Sequence, residues 1–278
     1  MPLIVVPTPV GNMEDITLRA LRVLRAADLI ACEDTRRTRK ILSRYSIRTR
    51  LVSYHSFNEK ERSVKLAEML SRGETVALVS DAGTPGISDP GYELIRRSFE
   101  EGYEVDVLPG ATALVPALVM SGFPTQPFLF EGFLPKRRGD RRKRIEILKE
   151  FTGAVIIYLS PHGGNRVLAD LMEILGDRPS ALLREISKIH QERIPGTLSS
   201  IIEAFDQGPP RGEMVLVLGP TRGAKGEVSE GWEGEALRMA ARGLPDKEVV
   251  KRVTEEYGIP KNTVKRFLLG RIQEKEAL

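Results

Sequence analysis

Short apolar runs and helix-period stretches take turns from the start of the chain. Leu3 to Val6, Leu29 to Cys32, Thr75 to Val79 and Glu104 to Leu108 are brief and β-rich, the pattern of buried strands. Between them, Thr17 to Ala27, Arg37 to Ser43, Lys60 to Ser71 and Tyr92 to Glu101 place apolar residues at helical spacing. The alternation predicts α/β layering. A second series opens at Phe128, with a strand to Glu131, a helix near Arg141 to Glu150, a strand at Ala154 to Leu159 and a helix from Gly164 to Leu175. Strands around Ser180 to Arg184 and Met214 to Leu218 complete it. Two α/β lobes follow, divided between Pro109 and Pro127 and assigned here to residues 1–115 and 116–220.

Past Pro220 the pattern changes. Thr221 to Glu227 is small, polar and glycine-bearing, the composition of a linker. Three short helices are then predicted, Glu233 to Arg242, Asp246 to Tyr257 and Lys261 to Arg271, with Ala240, Val249, Val253, Val264 and Leu268 facing inward. Residues 225–278 thus resemble a helix-turn-helix unit.

Composition narrows the class. With 41% hydrophobic and 29% charged residues the chain is expected to fold into a soluble protein. Its longest apolar runs are far short of the roughly 20 residues a membrane helix needs, and no basic leader precedes the apolar start, so a cytoplasmic protein is expected. Cys32 is the only cysteine, and His55, His162 and His190 lie far apart, so neither a disulfide nor a zinc cluster of sequence-local ligands can form; no metal is expected.

Charge sharpens the picture through its distribution, since the net value is only +4. Lys136, Arg137, Arg138, Arg141, Arg142, Lys143 and Arg144 are broken only by Gly139 and Asp140, and Arg36, Arg37, Arg39, Lys40 and Arg44 form a second cluster. A solvated helix face is the ordinary meaning of one such run; two beside a predicted cleft point to a polyanion such as RNA. In the tail, Lys261, Lys265, Arg266 and Arg271 leave the last helix basic, which suits nucleic acid or, equally, a packing or dimer element.

Several chemistries are disfavoured by absence. The chain has no Walker A sequence, no G-x-S-x-G elbow and no H-E-x-x-H. Thr8-Pro-Val-Gly-Asn12 follows the first strand where a Rossmann fingerprint would lie, so a different α/β architecture is required. Four turn-rich segments sit at predicted strand ends, where open α/β sheets collect ligands: Thr8 to Asp15, Cys32 to Arg39, Ser80 to Gly91 and Pro109 to Ala113. The third is richest in glycine and proline, fit for bringing backbone groups close to a ligand. Its bland reading is a surface loop in which Asp89 caps the next helix ahead of Pro90.

Pro7 to Ala20, Cys32-Glu-Asp-Thr-Arg36, Val79 to Gly91 and Pro109 to Leu114 together resemble the ribosomal RNA small subunit methyltransferase I family, within the tetrapyrrole methylase superfamily. The likeness runs from about Leu3 to Pro220, and the helical tail is similar to that of longer members. Gly83-Thr84-Pro85 stands where porphyrin-modifying members generally carry Gly-Asp-Pro, which favours the RNA branch. The resemblance implies two α/β lobes with S-adenosylmethionine in the cleft between them, a homodimer, and 2′-O-methylation of a cytidine ribose in the decoding region of small-subunit (16S) ribosomal RNA. Carried over by motif, the cofactor residues are Pro9, Ala82, Gly83, Thr84, Ile87, Thr112 and Ala113, joined from the second lobe by Leu159, Ile186, Glu213 and Met214. The partner that the resemblance implies is the ribosomal RNA or the small ribosomal subunit.

A ribose hydroxyl is a poor nucleophile until a base takes its proton. Glu33 or Asp34 is the candidate for this base or for orienting the substrate, next to Arg36 and Arg37 which would hold flanking phosphates. Against that role, Asp34 or Thr35 would cap the helix beginning near Arg37, and both carboxylates have arginine neighbours to pair with. His55 is a second possible base or RNA contact, though a loop histidine is the plainer reading, and Cys32 reads as a small buried residue. Two other functions stay open, a small-molecule methylase of the tetrapyrrole type and a ribosome-assembly RNA-binding protein without turnover.

Overall fold

The computed structural model describes residues 2–161, 163–207, 212–221, 232–241 and 243–276. The predicted linker beyond Thr221, His162, Arg242 and the side chain of Arg271 lie outside the described residues.

The first sheet joins β1 (Leu3–Val5), β2 (Leu29–Cys32), β3 (Leu51–Ser53), β4 (Val76–Val79) and β5 (Val105–Val107) in the order β3-β2-β4-β1-β5. Every pairing in it is parallel. A parallel sheet must be covered on both faces, and the strands supply alternate residues to two separate cores. Ile30, Cys32, Ala77 and Val79 pack with Leu24 of α1 (Leu18–Ala26) and Leu42 of α2 (Thr35–Arg44). Leu29, Ala31, Val76 and Leu78 pack with Leu66 and Leu70 of α3 (Glu59–Ser71) and Leu94 of α4 (Tyr92–Glu100). Because the strands run parallel, the segments after β1, β2 and β4 all emerge at one edge.

The second sheet has the order β6-β7-β10-β8-β9, from β6 (Phe128–Phe133), β7 (Ala154–Leu159), β8 (Pro179–Arg184), β9 (Glu192–Thr197) and β10 (Met214–Leu218). Only β6 and β7 run parallel, and their register shifts between Phe130 and Gly132; the other pairs are antiparallel. α5 (Leu114–Ser121) covers one face through Ala117 and Leu118. α6 (Arg138–Lys149), α7 (Gly164–Leu175) and α8 (Leu198–Asp206) cover the other through Ile145, Leu168, Leu171, Ile201 and Phe205.

Beyond it, α9 (Trp232–Ala241), α10 (Asp246–Tyr257) and α11 (Lys261–Glu276) share a small core containing Val249, Val253, Val264 and Leu268. Ala240 is only half-buried, and Ala236 and Met239 fill the inward positions of α9 instead. Among the described residues no helix is long and apolar enough to cross a membrane.

Candidate cofactor and nucleic-acid site

The loops after β1, β4 and β5 are stitched to one another before any ligand is considered. Thr8 and Gly83 exchange two backbone hydrogen bonds of 2.9 Å each, and the Thr8 hydroxyl donates to the Ser80 carbonyl at 3.0 Å. The Thr84 hydroxyl donates to the Ala111 carbonyl at 3.1 Å. Gly83 holds φ +80°, a left-handed backbone that a side chain would strain, and a Cβ there would meet nothing nearer than the Ala111 oxygen at 3.9 Å. Its backbone therefore faces open space bordered by fixed polar groups.

That space is an inter-lobe cavity of about 330 Å³, at the small end of the roughly 300–1,000 Å³ typical of ligand pockets. Ala82, Gly83, Thr84, Ile87, Thr112 and Ala113 line it from the first lobe and the junction. Leu159, Ile186, Glu213 and Met214 close it from the second. Pro9 does not line it: it is buried, and Val10 takes the wall position. A more open cavity of about 550 Å³ continues past Val10, Thr112 and Ile186 towards Asp15 and Gln191. The parallel sheet of the first lobe thus presents its glycine-bearing loops to a cavity that both lobes line.

The second-lobe wall depends on a tight turn after β8. Glu185 and Ser187 have φ of +50° and +66°, costly values for residues with side chains. A double clamp, one bond to a backbone carbonyl and one to a carboxylate, holds them. Glu185 N–H donates to the Glu213 carbonyl at 3.0 Å, and Glu213 N–H to Glu185 Oε1 at 2.9 Å. Lys188 Nζ reaches both carboxylates, at 2.9 and 3.1 Å. Across the lobes, the Ser187 hydroxyl donates to Asp15.

The two candidate bases separate. Asp34 is the N-cap of α2; its carboxylate accepts from the Arg36 N–H at 2.8 Å and from the Arg36 guanidinium at 2.7 Å, and does not line the cavity. Those bonds hold its carboxyl far below the ordinary range. The structure thus places Asp34 as the cap of α2, engaged by Arg36. Glu33 does line the cavity, and burial, then the Asp81 carboxylate, push its carboxyl up. Asp81 is itself fixed by the Asp34 N–H at 2.9 Å and by Arg37 at 3.4 Å. Arg37 lines the cavity, whereas His55 does not and is held in its turn by Asn58. Cys32 is buried, with its thiol pushed up by burial.

Asp89 departs from the capping expectation. The N-cap of α4 is Gly91, and Glu59 Oε1 from α3 accepts the N–H groups of Gly91 and Glu93 at 2.9 and 3.3 Å. Asp89 is left facing the cavity, its carboxyl pushed up to about 7 by burial and by Glu33, Asp81 and Glu213. Tyr158 and Phe133 also line the cavity and pack edge-to-face, with centroids 5.4 Å apart. Burial pushes the Tyr158 phenol up. Sequence reading missed both aromatics, because alternate residues of a buried strand look like core until the lobes are assembled.

The basic runs also divide. Arg39 and Lys40 are exposed, with no ion pair among the described residues, and so are Lys136, Arg137 and Lys143. Arg141 points inward: it is 5% exposed, with Nε 2.8 Å from Asp170 Oδ2 and Nη1 donating to the Lys136 carbonyl at 3.0 Å. Arg142 grips Glu173 at 2.6 and 2.7 Å, and Arg144 grips Glu131 at 2.7 and 2.8 Å. Arg138 reaches Asp170 at 3.4 Å and Arg36 is engaged by Asp34.

Residues 2–202 match the family Tetrapyrrole (Corrin/Porphyrin) Methylases. Solved structures agree in fold: diphthine synthase superposes with a TM-score of 0.64 at 14% identity, over 79% of this chain and 90% of that one. Uroporphyrin-III C-methyltransferase from Thermus thermophilus, complexed with S-adenyl homocysteine, gives 0.57 at 19% identity over 78% and 96%. Two lobes enclosing such a cleft define a protein of the tetrapyrrole methylase class. Within it, Ribosomal RNA small subunit methyltransferase I of Halalkalibacterium halodurans is 42% identical, over 94% of this chain and 92% of its own length. The Thermotoga maritima protein of the same name is 46% identical over 97% of its length but only 78% of this chain, a shortfall about the size of the helical tail. The chain belongs to the ribosomal RNA small subunit methyltransferase I family.

Proposed function

We propose that the chain moves a methyl group from S-adenosylmethionine to the ribose 2′-hydroxyl of a cytidine in the decoding region of small-subunit ribosomal RNA. The observation that carries the reading is the inter-lobe cavity, walled by every expected cofactor residue except Pro9 and opening beside Glu33 and Arg37. Family membership supports methylation of ribosomal RNA; the ribose position and the nucleotide are our own assignment. S-adenosylmethionine supplies an activated methyl group when bound. Ala82, Gly83, Thr84, Ile87, Thr112 and Ala113 would hold it from one side, and Leu159, Ile186, Glu213 and Met214 from the other.

The residues of this chain act by position. Glu33 takes the hydroxyl proton; its raised carboxyl brings it nearer to working pH, where a base is most effective. Arg37, with Arg39 and Lys40 on the exposed side of the same helix, holds phosphates flanking the target nucleotide. Lys136, Arg137 and Lys143 extend that binding surface along the RNA. The two lobes exclude water from the reacting atoms. Residues 1–115 and 116–220 would form the catalytic lobes and 225–278 an appended unit, in a homodimer working in the cytoplasm.

The test incubates the protein with labelled S-adenosylmethionine and isolated small ribosomal subunits and maps the labelled nucleotide. Label on a cytidine 2′-oxygen is expected; label on a base or no label in the RNA overturns the reading. Glu33→Gln is expected to slow methylation by about 10²–10⁴-fold with donor binding retained. Because Glu33 must be ionised and its carboxyl is raised, the wild-type rate falls as pH drops through that raised value; a flat acid limb removes Glu33 as the base.

A further inference from the structure

Four carboxylates line the cavity, Glu33, Asp81, Asp89 and Glu213, and among the described residues Arg37 is the one cationic side chain in its wall. Two are already balanced: Asp81 by Arg37 and Glu213 by Lys188. Asp89 is not. Among the described residues its carboxylate has no hydrogen bond and no ion pair, because Glu59 does the capping that would otherwise engage it. Folded proteins ordinarily neutralise or pair such groups when they are drawn out of water. An unpaired, half-buried carboxylate on a ligand-facing wall is an arrangement that a cationic ligand would complete.

We infer that Asp89 is a specificity-determining residue that reads the charge of the methyl donor, favouring the positively charged sulfonium over the neutral thioether left after transfer. The inference rests on the cofactor reading above and concerns the same cavity. Methyl transfer forms a C–O bond to the acceptor, breaks the C–S bond with its electron pair staying on sulfur, and delivers the hydroxyl proton to a carboxylate base. The donor thereby loses one positive charge with little change in shape. Apolar residues and neutral amides distinguish the two forms weakly; an excess of negative charge at short range in a partly desolvated cavity does so more strongly. The spent cofactor is then held less firmly than the fresh one, which helps the site exchange them.

The discrimination depends on pH. The groups facing Asp89 are Glu33 and Arg37 from the β2–α2 segment, Asp81 after β4, Tyr158 on β7, and Glu213 with its partner Lys188 on the second lobe. With the Asp89 carboxyl near 7, the group is ionised above that value and protonated below it, so preference for the charged donor grows as pH rises through neutrality. Glu33, also raised, adds in the same direction.

Calorimetric titration of the full chain with S-adenosylmethionine and, separately, S-adenosylhomocysteine tests this at about pH 6 and about pH 8. Asp89→Asn is expected to weaken the donor about tenfold at the higher pH while changing the thioether less than about threefold. Asp89→Glu is expected to keep the wild-type ratio. The wild type, which needs no substitution to fold, is expected to lose most of its preference at the lower pH, and Asp89→Asn to keep only the smaller pH dependence that Glu33 contributes. Equal losses of both ligands in Asp89→Asn, or a wild-type ratio that does not move with pH, overturn the inference while leaving the cofactor site standing. Wild-type protein that binds neither ligand overturns both.

Discussion

The two arginine-rich runs have similar composition and opposite fates. On α2, Arg36 and Arg37 have acidic partners within their own loop or the next, while Arg39 and Lys40 stay exposed without ion pairs among the described residues. On α6, Arg141 is drawn into the protein by Asp170 of α7, and Arg138 and Arg142 converge on the same carboxylate. The difference lies in acids distant in sequence, at Asp170 and Glu173. A charge run therefore predicts a polyanion-binding face only after the acids of the neighbouring helix have been subtracted. Asp170 shows the physics: burial raises its carboxyl, but the three guanidiniums outweigh burial and leave it below its ordinary value.

The strongest way to break this contrast is Arg141→Ala, which leaves Asp170 buried without its closest partner. A decrease of about 3–5 kcal/mol in stability is expected, read as a lowered denaturant midpoint. Unchanged stability with abolished RNA binding would mean that Arg141 is a phosphate ligand after all. On α2 the expected pattern is reversed. The double change Arg39→Ala and Lys40→Ala should leave stability within about 0.5 kcal/mol and make the slope of log affinity against log salt shallower by about 1 for each phosphate no longer neutralised. A salt slope equal to that of the wild type would remove this helix from the RNA interface. The smallest effect is in acid. A carboxyl lowered on folding stabilises above its unfolded value, near 4, and that stability drains away as pH falls through the folded value. The acid limb of unfolding should be slightly steeper in the wild type than in Asp170→Asn, and identical limbs would mean the α6 cluster carries no net electrostatic stability.

The layering is legible in sequence because strands such as Ala154–Leu159 and Met214–Leu218 are nearly all buried and apolar, which fixes their ends. Other elements carry no such signal. β9, Glu-Arg-Ile-Pro-Gly-Thr, is an edge strand with mostly exposed side chains, so nothing forces alternation and a proline is tolerated. β3 is a short edge strand of three residues. α5 is apolar nearly all round and contains Pro116, so it reads as a junction although it covers one face of the second sheet. α8 follows β9 directly, and without a recognisable strand before it the α/β alternation gives no cue to its place.

In the site, the loops can be read because glycine and proline mark them, and the resemblance names their residues. Side chains from different segments cannot be paired that way. Asp34 and Asp89 are both acids at the start of a helix, and only the structure shows that the first caps and the second is displaced from capping by Glu59. Tyr158 and Phe133 enter the site because the lobes bring β6 and β7 against Thr112 and Ala113.

Gly11, in the loop after β1, lies against the strained turn of the second lobe. A Cβ there would come within 2.6 Å of the Ile186 carbonyl oxygen and of Lys188 Cγ, distances that force something to move. Position 11 thus acts as a mechanical stop, and the gauge of the crevice between the lobes is set by a methyl group the chain does not have. Even alanine there would press on the backbone at Ile186, which lines both cavities, and so disturb the two together although position 11 itself lines neither.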